Sequence, residues 1–91
     1  MRLRHTKAFL RSLRGRPDSE LQAAASSMAR AAEEFGNPHL HSGAGIRRLG
    51  KNLFECRAGL ELRLLFTRDP GAIVFVFAGN HDEVLDFLRN R

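Results

Sequence analysis

The sequence has 91 residues and a mass of 10.2 kDa, the size of one small domain, so we expect a single domain over residues 1–91 and no second catalytic domain. Its hydrophobic fraction of 43% and charged fraction of 27% are typical of folded chains and argue against wholesale disorder. The net charge is +5, and thirteen of the fifteen basic residues are arginine, whose planar guanidinium matches phosphate oxygens. A genome that prefers arginine codons would explain the excess equally well, so the placement of the arginines decides.

The single cysteine and the hydropathy pattern bear on the compartment. Cys56 has no second cysteine with which to form an internal disulfide, and one thiol is too few for a cysteine-based zinc site. No run approaches the roughly 20 apolar residues of a membrane span. Phe9 and Leu10 are followed at once by Arg11, which leaves no apolar run for a signal peptide. We therefore expect a protein of the reducing cytoplasm, without membrane contact.

The N-terminal half predicts one strand and two helices. Met1 to His5 is typical of a short strand, and Thr6 can cap a helix that ends at Gly15. A second helix begins at Pro17, because apolar residues then recur at three- and four-residue steps as far as Phe35. Gly36, Asn37 and Pro38 end this helix, and residues 39–45 are predicted to form a loop.

After Ile46 the apolar period changes from 3.6 to 2. Strands are predicted over Leu53 to Arg57, Leu60 to Thr67 and Ile73 to Ala78, because turn residues separate them. Asn80 can cap a closing helix, with Glu83 at the capping-box position. The prediction is an α+β fold of order β-α-α-β-β-β-α, with the helices on one face of a small, mainly antiparallel sheet and the last strand lying centrally.

The register of the first hairpin can be argued from the alternation of side chains. A three-residue loop over Ala58 to Leu60 places Phe54, Cys56 and the apolar positions of the next strand on the helix-covered face. The other face then carries Arg57 opposite Glu61 and Glu55 opposite Arg63, as two cross-strand ion pairs. A solvated polar face with two surface salt bridges would look the same.

His81 follows the last predicted strand and lies in the first turn of the closing helix. An imidazole there can accept or donate a proton near neutral pH, although an ordinary surface histidine is the commoner case. His39 and His41 could be combined with His81 into a metal site, but no acid or thiol at suitable spacing completes it. We therefore expect no metal and no other cofactor.

Three motifs in order resemble the RelE/ParE toxin superfamily, with the RelE-like branch favoured. They are an aromatic-Glu-x-Arg-x-Gly strand and turn, an Arg-led apolar strand, and a closing Gly-x-His-Asp-Glu-Val segment. In this sequence they are residues 54–59, 63–66 and 79–84. The resemblance spans nearly the whole chain and implies a RelE-like fold. It departs from many RelE-like nucleases at Phe54 and Glu55, where they carry a lysine pair, and at Leu85, where they carry a tyrosine.

The resemblance also implies a function. RelE-like toxins are cytoplasmic members of bacterial type II toxin-antitoxin pairs; they cut mRNA without a metal, commonly on the ribosome, and thereby inhibit translation. Arg63 matches the phosphate-binding arginine of that group, Arg57 a second basic position, and His81 the catalytic position after the central strand. These three are the candidate catalytic residues of an endoribonuclease. The candidate RNA-binding residues, which would hold neighbouring phosphates, are Arg47, Arg48 and Lys51.

Two other functions remain open at this point. A ParE-like toxin would inhibit DNA gyrase without nuclease chemistry, and an inactive remnant would only bind its antitoxin. All three predict an antitoxin protein as partner, with operator DNA bound only through that antitoxin. A thin core and a basic sheet face independently favour a negatively charged amphipathic partner segment.

Overall fold

The computed structural model describes residues 1–36 and 45–91, and contains three helices and five strands in that part of the chain. The N-terminal elements are β1 (Arg2–His5), α1 (Lys7–Ser12) and α2 (Asp18–Gly36). The remaining elements are β2 (Arg47–Gly50), β3 (Leu53–Ala58), β4 (Leu62–Asp69), β5 (Ala72–Gly79) and α3 (His81–Arg89). The predicted loop over 39–45, like His39 and His41, lies outside the described residues except for Gly45. No described helix has the length and apolarity that crossing a membrane requires.

The five strands form one mixed sheet in the order β1-β5-β4-β3-β2. The β2, β3, β4 and β5 strands pair antiparallel in sequence order, whereas β1 pairs parallel with β5. The predicted α+β class, the mainly antiparallel sheet and the position of β5 between two neighbours are confirmed. The β2 strand was not predicted, because its four residues carry too little alternation to register as a strand.

Both predicted helix caps are present. The Thr6 Oγ1 accepts a hydrogen bond from the Phe9 N–H at 3.1 Å at the start of α1. At the start of α3, the Asn80 side chain accepts from the Glu83 N–H, and the Glu83 carboxylate accepts from the Asn80 N–H, each at 2.9 Å. These reciprocal bonds satisfy backbone donors that a helix start otherwise leaves without partners.

The helices cover both faces of the sheet, so their expected placement on one face is wrong for α3. The larger core lies under α1 and α2 and includes Leu64 and Phe66 of β4. The smaller core lies under α3 and includes Leu65 of the same strand together with Val84. Consecutive apolar residues on a strand point to opposite faces, so the buried run in β4 requires cover on both sides.

The β3–β4 hairpin keeps the predicted faces but not the predicted partners. Ala58 pairs with Leu62 and Arg57 with Arg63, so the proposed pairing of Arg57 with Glu61 is wrong by two residues. The turn begins at Gly59, whose φ of +84° lies in the left-handed region that glycine adopts without strain. In this register Ala58 and Leu62 are paired, and both are buried.

Candidate functional site

Two arginines lie side by side on the sheet face that α3 partly covers. Arg57 on β3 pairs with Arg63 on β4, and Arg63 pairs in turn with Gly79 on β5. Residues directly opposite each other in a sheet point to the same face. That face is the one opposite to Leu62 and Leu64, which belong to the core under α1 and α2. Two like charges directly opposite each other are unfavourable without a counter-ion, so this row is suited to bind an anion.

Glu55 is a buried carboxylate between two arginines. Its Oε1 lies 3.4 Å from Nη1 of Arg63 and 3.8 Å from Nη2 of Arg47. The Glu55 side chain is 6% exposed and that of Arg63 is 18% exposed. The expected ion pair of Glu55 with Arg63 therefore forms, but diagonally, because Leu65 is the residue opposite Glu55. One carboxylate against three arginines leaves this corner of the sheet with a net positive charge.

The role of Glu55 as a shared partner could not be predicted from the sequence. Arg47 reaches the carboxylate because β2 pairs with β3 and places Arg47 opposite Glu55. One feature does indicate that Glu55 has a cationic partner. Its neighbours on the same face are the apolar Leu53 on β3 and Leu65 opposite on β4, both in the core under α3. A carboxylate buried at such a position needs a cationic partner.

The three candidate RNA-binding residues do not share one face. Arg47 lies on the face of Glu55, whereas Arg48 pairs with Phe54 and lies on the opposite face. The Arg48 guanidinium donates to the carbonyl oxygens of Gly50 at 2.8 Å and Lys51 at 2.9 Å, which holds the β2–β3 turn. The Lys51 side chain is exposed in that turn.

His81 is the first residue of α3. It lies two residues after Gly79, which pairs with Arg63. Paired Cα atoms of antiparallel strands lie about 5 Å apart, and two residues span at most about 7.6 Å. The Cα of His81 therefore lies within about 13 Å of the Cα of Arg63, since Gly79 pairs with Arg63. The Arg63 guanidinium itself is paired with Glu55 of β3.

The His81 ring is open to solvent. Its side chain is 62% exposed, and Nδ1 lies 3.4 Å from Oδ1 of Asp82. Within residues 1–36 and 45–91, no hydrogen bond joins the ring to Arg57 or Arg63. The structure therefore places His81 near the arginine row but not in contact with it.

The remaining reactive group near this site is the thiol of Cys56, which belongs to the core on the opposite face of β3. Burial raises the pKa of Cys56 to about 12, with a smaller contribution from the neighbouring Glu55 charge. Its thiol is neutral at physiological pH and is not a nucleophile. Among the described residues, no three His, Cys, Asp or Glu side chains gather closely enough to hold a metal ion.

The fold has clear counterparts among solved structures. A metal-bound toxin from Helicobacter pylori superposes with a TM-score of 0.69 at 19% identity, covering 92% of this chain and 98% of that one. The RelB-RelE antitoxin-toxin complex from Methanococcus jannaschii gives a TM-score of 0.66 at 15% identity, covering 92% of this chain and 96% of that one. The E. coli DinJ-YafQ complex gives 0.61 at 13% identity, covering 92% and 98%.

The chain therefore has the RelE-like α+β fold, and the resemblance seen in the sequence is confirmed at the level of the fold. Both chains of each comparison are covered almost completely, so the likeness concerns the whole fold and not one motif. No protein-family model matches the sequence, and the comparison with curated proteins gives no match.

Proposed function

We propose that this protein is the toxin of a bacterial toxin-antitoxin pair and cleaves mRNA as an endoribonuclease that inhibits translation. The observation that carries the proposal is the row formed by Arg57, Arg63 and Gly79, at whose end α3 begins with His81. This arrangement supports cleavage of a phosphodiester by the neighbouring ribose hydroxyl, and the reaction as proposed uses no metal.

The proposed chemistry divides into charge neutralisation and proton transfer. The 2′-oxygen attacks phosphorus and loses its proton, the bond from phosphorus to the 5′-oxygen breaks, and that oxygen gains a proton. The products are a 2′,3′-cyclic phosphate and a 5′-hydroxyl. Arg63 and Arg57 are suited to neutralise the phosphoryl oxygens of the transition state, because fixed donors need no reorganisation as charge develops.

His81 is the proposed proton-transfer group, because one imidazole ring can both accept and donate a proton. Its ring either takes the proton from the 2′-hydroxyl or donates one to the departing 5′-oxygen. Glu55 holds the Arg63 guanidinium in place through their 3.4 Å ion pair. Arg47 extends the positive surface beyond Glu55, where it would contact a neighbouring phosphate, and Arg48 and Lys51 would meet RNA at the β2–β3 turn.

The test is RNA cleavage by purified wild-type protein and by Arg63→Gln and His81→Ala variants. We expect each variant to lose about 100-fold or more in kcat while its circular dichroism and melting temperature stay close to wild type. Arg89→Gln is the matched control, because Arg89 is an exposed arginine at the other end of α3. Wild-type cleavage by both site variants would contradict the assigned site.

Mapping RNA 5′ ends after brief expression in cells separates the nuclease from the other functions. New 5′-hydroxyl ends in mRNA are expected within minutes. Unchanged ends together with a DNA damage response would instead indicate gyrase inhibition. Unchanged ends without growth arrest would indicate a remnant that binds only its antitoxin. Cleavage that appears only when ribosomes are added would establish ribosome dependence.

The proposed protein partner is an antitoxin with an acidic amphipathic segment. RelB-RelE is an antitoxin-toxin complex and DinJ-YafQ is a complex that contains the same fold, which supports an antitoxin partner for this chain. The acidic amphipathic character is proposed from the basic sheet face of this chain. A cytoplasmic location follows from an RNA target, and operator DNA would be contacted only through the antitoxin. Adding the cognate antitoxin should raise the melting temperature in proportion to the logarithm of its concentration. An unchanged melting temperature would contradict the partnership.

A further inference from the structure

Arg16 connects four parts of the fold through one guanidinium. It lies between α1 and α2, and its side chain is 19% exposed. Its Nε donates to the Ser12 carbonyl oxygen at 3.0 Å, and its Nη2 donates to the Ala78 carbonyl oxygen at 3.5 Å. The same guanidinium lies 3.3 Å from the Glu83 carboxylate and 3.6 Å from that of Glu20. We call this set of contacts the Arg16 brace.

The end of β5 is hydrogen-bonded through both backbone groups of Ala78, one to Ser12 of α1 and the other to Arg16. The Ala78 N–H donates to the Ser12 Oγ at 2.9 Å, and Ser12 Oγ donates to the Phe9 carbonyl oxygen at 2.6 Å. The Ala78 carbonyl oxygen accepts from Arg16. Ala78 is fully buried, so these bonds are shielded from water and fix the position of the strand end.

The brace also fixes the first turn of α3. The Glu83 oxygen that accepts from Arg16 is the same Oε1 that closes the capping box with the Asn80 N–H. A Cβ at Gly79 would come within 2.8 Å of the Glu83 Cβ, so the helix turn already lies tightly against the strand end. His81 is exposed, and the first buried residue of α3 is Val84. The polar contacts at Glu83 therefore lie in the first turn of α3, two residues after His81.

We propose that Arg16 is a positioning residue for His81. It acts through Glu83 and Ala78, holding the start of α3 against the β5 end next to Arg63, and does not itself touch RNA. The proposal rests on the proposed function, because it assigns Arg16 a part in the proton transfer by His81. A shift of about 1 Å in a catalytic group can lower a rate about 100-fold, so loosening the brace should affect the chemical step.

The main test compares Arg16→Gln with Arg14→Gln in the purified protein. Arg14 is an exposed arginine two residues away, so its variant removes the same charge and leaves the brace intact. Under conditions where both variants are folded, we expect Arg16→Gln to lower kcat for RNA cleavage about 10- to 100-fold with KM changed less than about threefold. The Arg14 variant should cleave like wild type. Equal kcat values for Arg16→Gln and wild type would overturn the proposal.

A second readout does not depend on cleavage. The His81 imidazole resonances, followed by NMR through a pH titration, should shift in Arg16→Gln and stay in place in Arg14→Gln. Amide hydrogen exchange at the start of α3 should also become faster in the Arg16 variant alone. Unmoved His81 resonances in a folded Arg16→Gln protein would overturn the proposal. Shifted resonances would support the brace even if His81→Ala cleaved like wild type, a result that would refute the proposed catalytic site instead.

Two further variants distinguish positioning from general stability. In a His81→Ala background, Arg16→Gln should lower cleavage no further, because both changes remove the same contribution. A second multiplicative loss would contradict action through His81. If Arg16→Gln fails to fold, Glu83→Gln serves instead, since its amide oxygen can still accept from Asn80 while the anion facing Arg16 is gone. A smaller loss of kcat with shifted His81 resonances is expected, and wild-type values for both would overturn the proposal.

Discussion

The two faces of the sheet are built by the same strands but differ in burial and charge. On the α1 and α2 face, Leu64 and Phe66 of β4 are completely buried in an apolar core. On the α3 face, Arg63 and Leu65 of the same strand alternate with them, and only Leu65 is enclosed by the smaller core. One face therefore supplies stability by apolar burial. The other combines a small core with a charged row, in which Arg57 is exposed and the partly buried Arg63 is held by its ion pair with Glu55.

The largest expected effect tests the claim that stability comes mainly from the α1 and α2 face. Phe66 is fully buried and its ring centroid lies 5.0 to 5.5 Å from those of Phe35, Phe54 and Phe75. Phe66→Ala should lower the free energy of unfolding by about 3 to 5 kcal/mol, measured by urea denaturation. Leu60→Ala is the control, because Leu60 is 94% exposed and should change stability by less than about 0.5 kcal/mol.

The matched change on the other face is Leu65→Ala, which removes an equally buried residue from the smaller core. We expect a loss of about 2 to 4 kcal/mol, together with faster hydrogen exchange in α3. If Leu65→Ala lowers the free energy of unfolding more than Phe66→Ala does, the core under α3 contributes more to stability than the core under α1 and α2. That result would contradict the claim.

A smaller effect is expected from the buried carboxylate of the charged face. Glu55→Gln leaves Arg63 partly buried without an anionic partner, and should lower the free energy of unfolding by about 1 to 3 kcal/mol. The same change frees Arg63 and Arg47 for phosphate, so binding to an uncleavable RNA should become tighter and more dependent on salt. Glu61→Gln, an exposed carboxylate in the adjacent turn, is the control. Weaker RNA binding by Glu55→Gln would contradict the competition between carboxylate and phosphate.

Much of the fold could be predicted because local signals agree with the final structure. Thr6 and Asn80 have the side chains that cap helices, and both do so. The alternation of Phe54 and Cys56 with charged residues assigned the faces of β3 correctly. The placement of α3 was missed, although the apolar run Ile73 to Phe77 already indicated a strand covered on both sides.

The site could be predicted only in part, because its geometry depends on pairing between distant segments. Parity assigned Arg57 and Arg63 to one face, but a shift of two residues preserves parity, so the partners of each arginine remained undetermined. Within the Arg16 brace, the contacts with Ala78 and Glu83 join residues 62 and 67 positions apart in sequence. No local sequence pattern indicates contacts of that kind. The catalytic and RNA-binding roles of the six candidate residues stay predictions.

The smallest expected effect concerns the capping box where the two faces meet at the start of α3. The hydrogen bond from the Asn80 N–H holds the pKa of Glu83 below its ordinary value; burial opposes it, and the hydrogen bond and charge of Arg16 lower the pKa by smaller amounts. Because the folded-state pKa is lowered, this stabilisation is complete at pH values above the ordinary pKa of a glutamate and is lost as the pH falls through the folded-state pKa. The Glu83 side chain is 48% exposed, so solvent screening should keep the contribution to the free energy of unfolding below about 1 kcal/mol.

Urea denaturation from pH 7 to pH 3 should therefore show a steeper loss of the free energy of unfolding for wild type than for Glu83→Gln, and the two curves should converge at the acid end. Asp82→Asn is the control, since that carboxylate is 94% exposed and its removal should leave the slope nearly unchanged. Parallel curves for wild type and Glu83→Gln would show that the charge of Glu83 does not stabilise the start of α3, and that the apolar contacts of Val84 and the packing of Gly79 hold it alone.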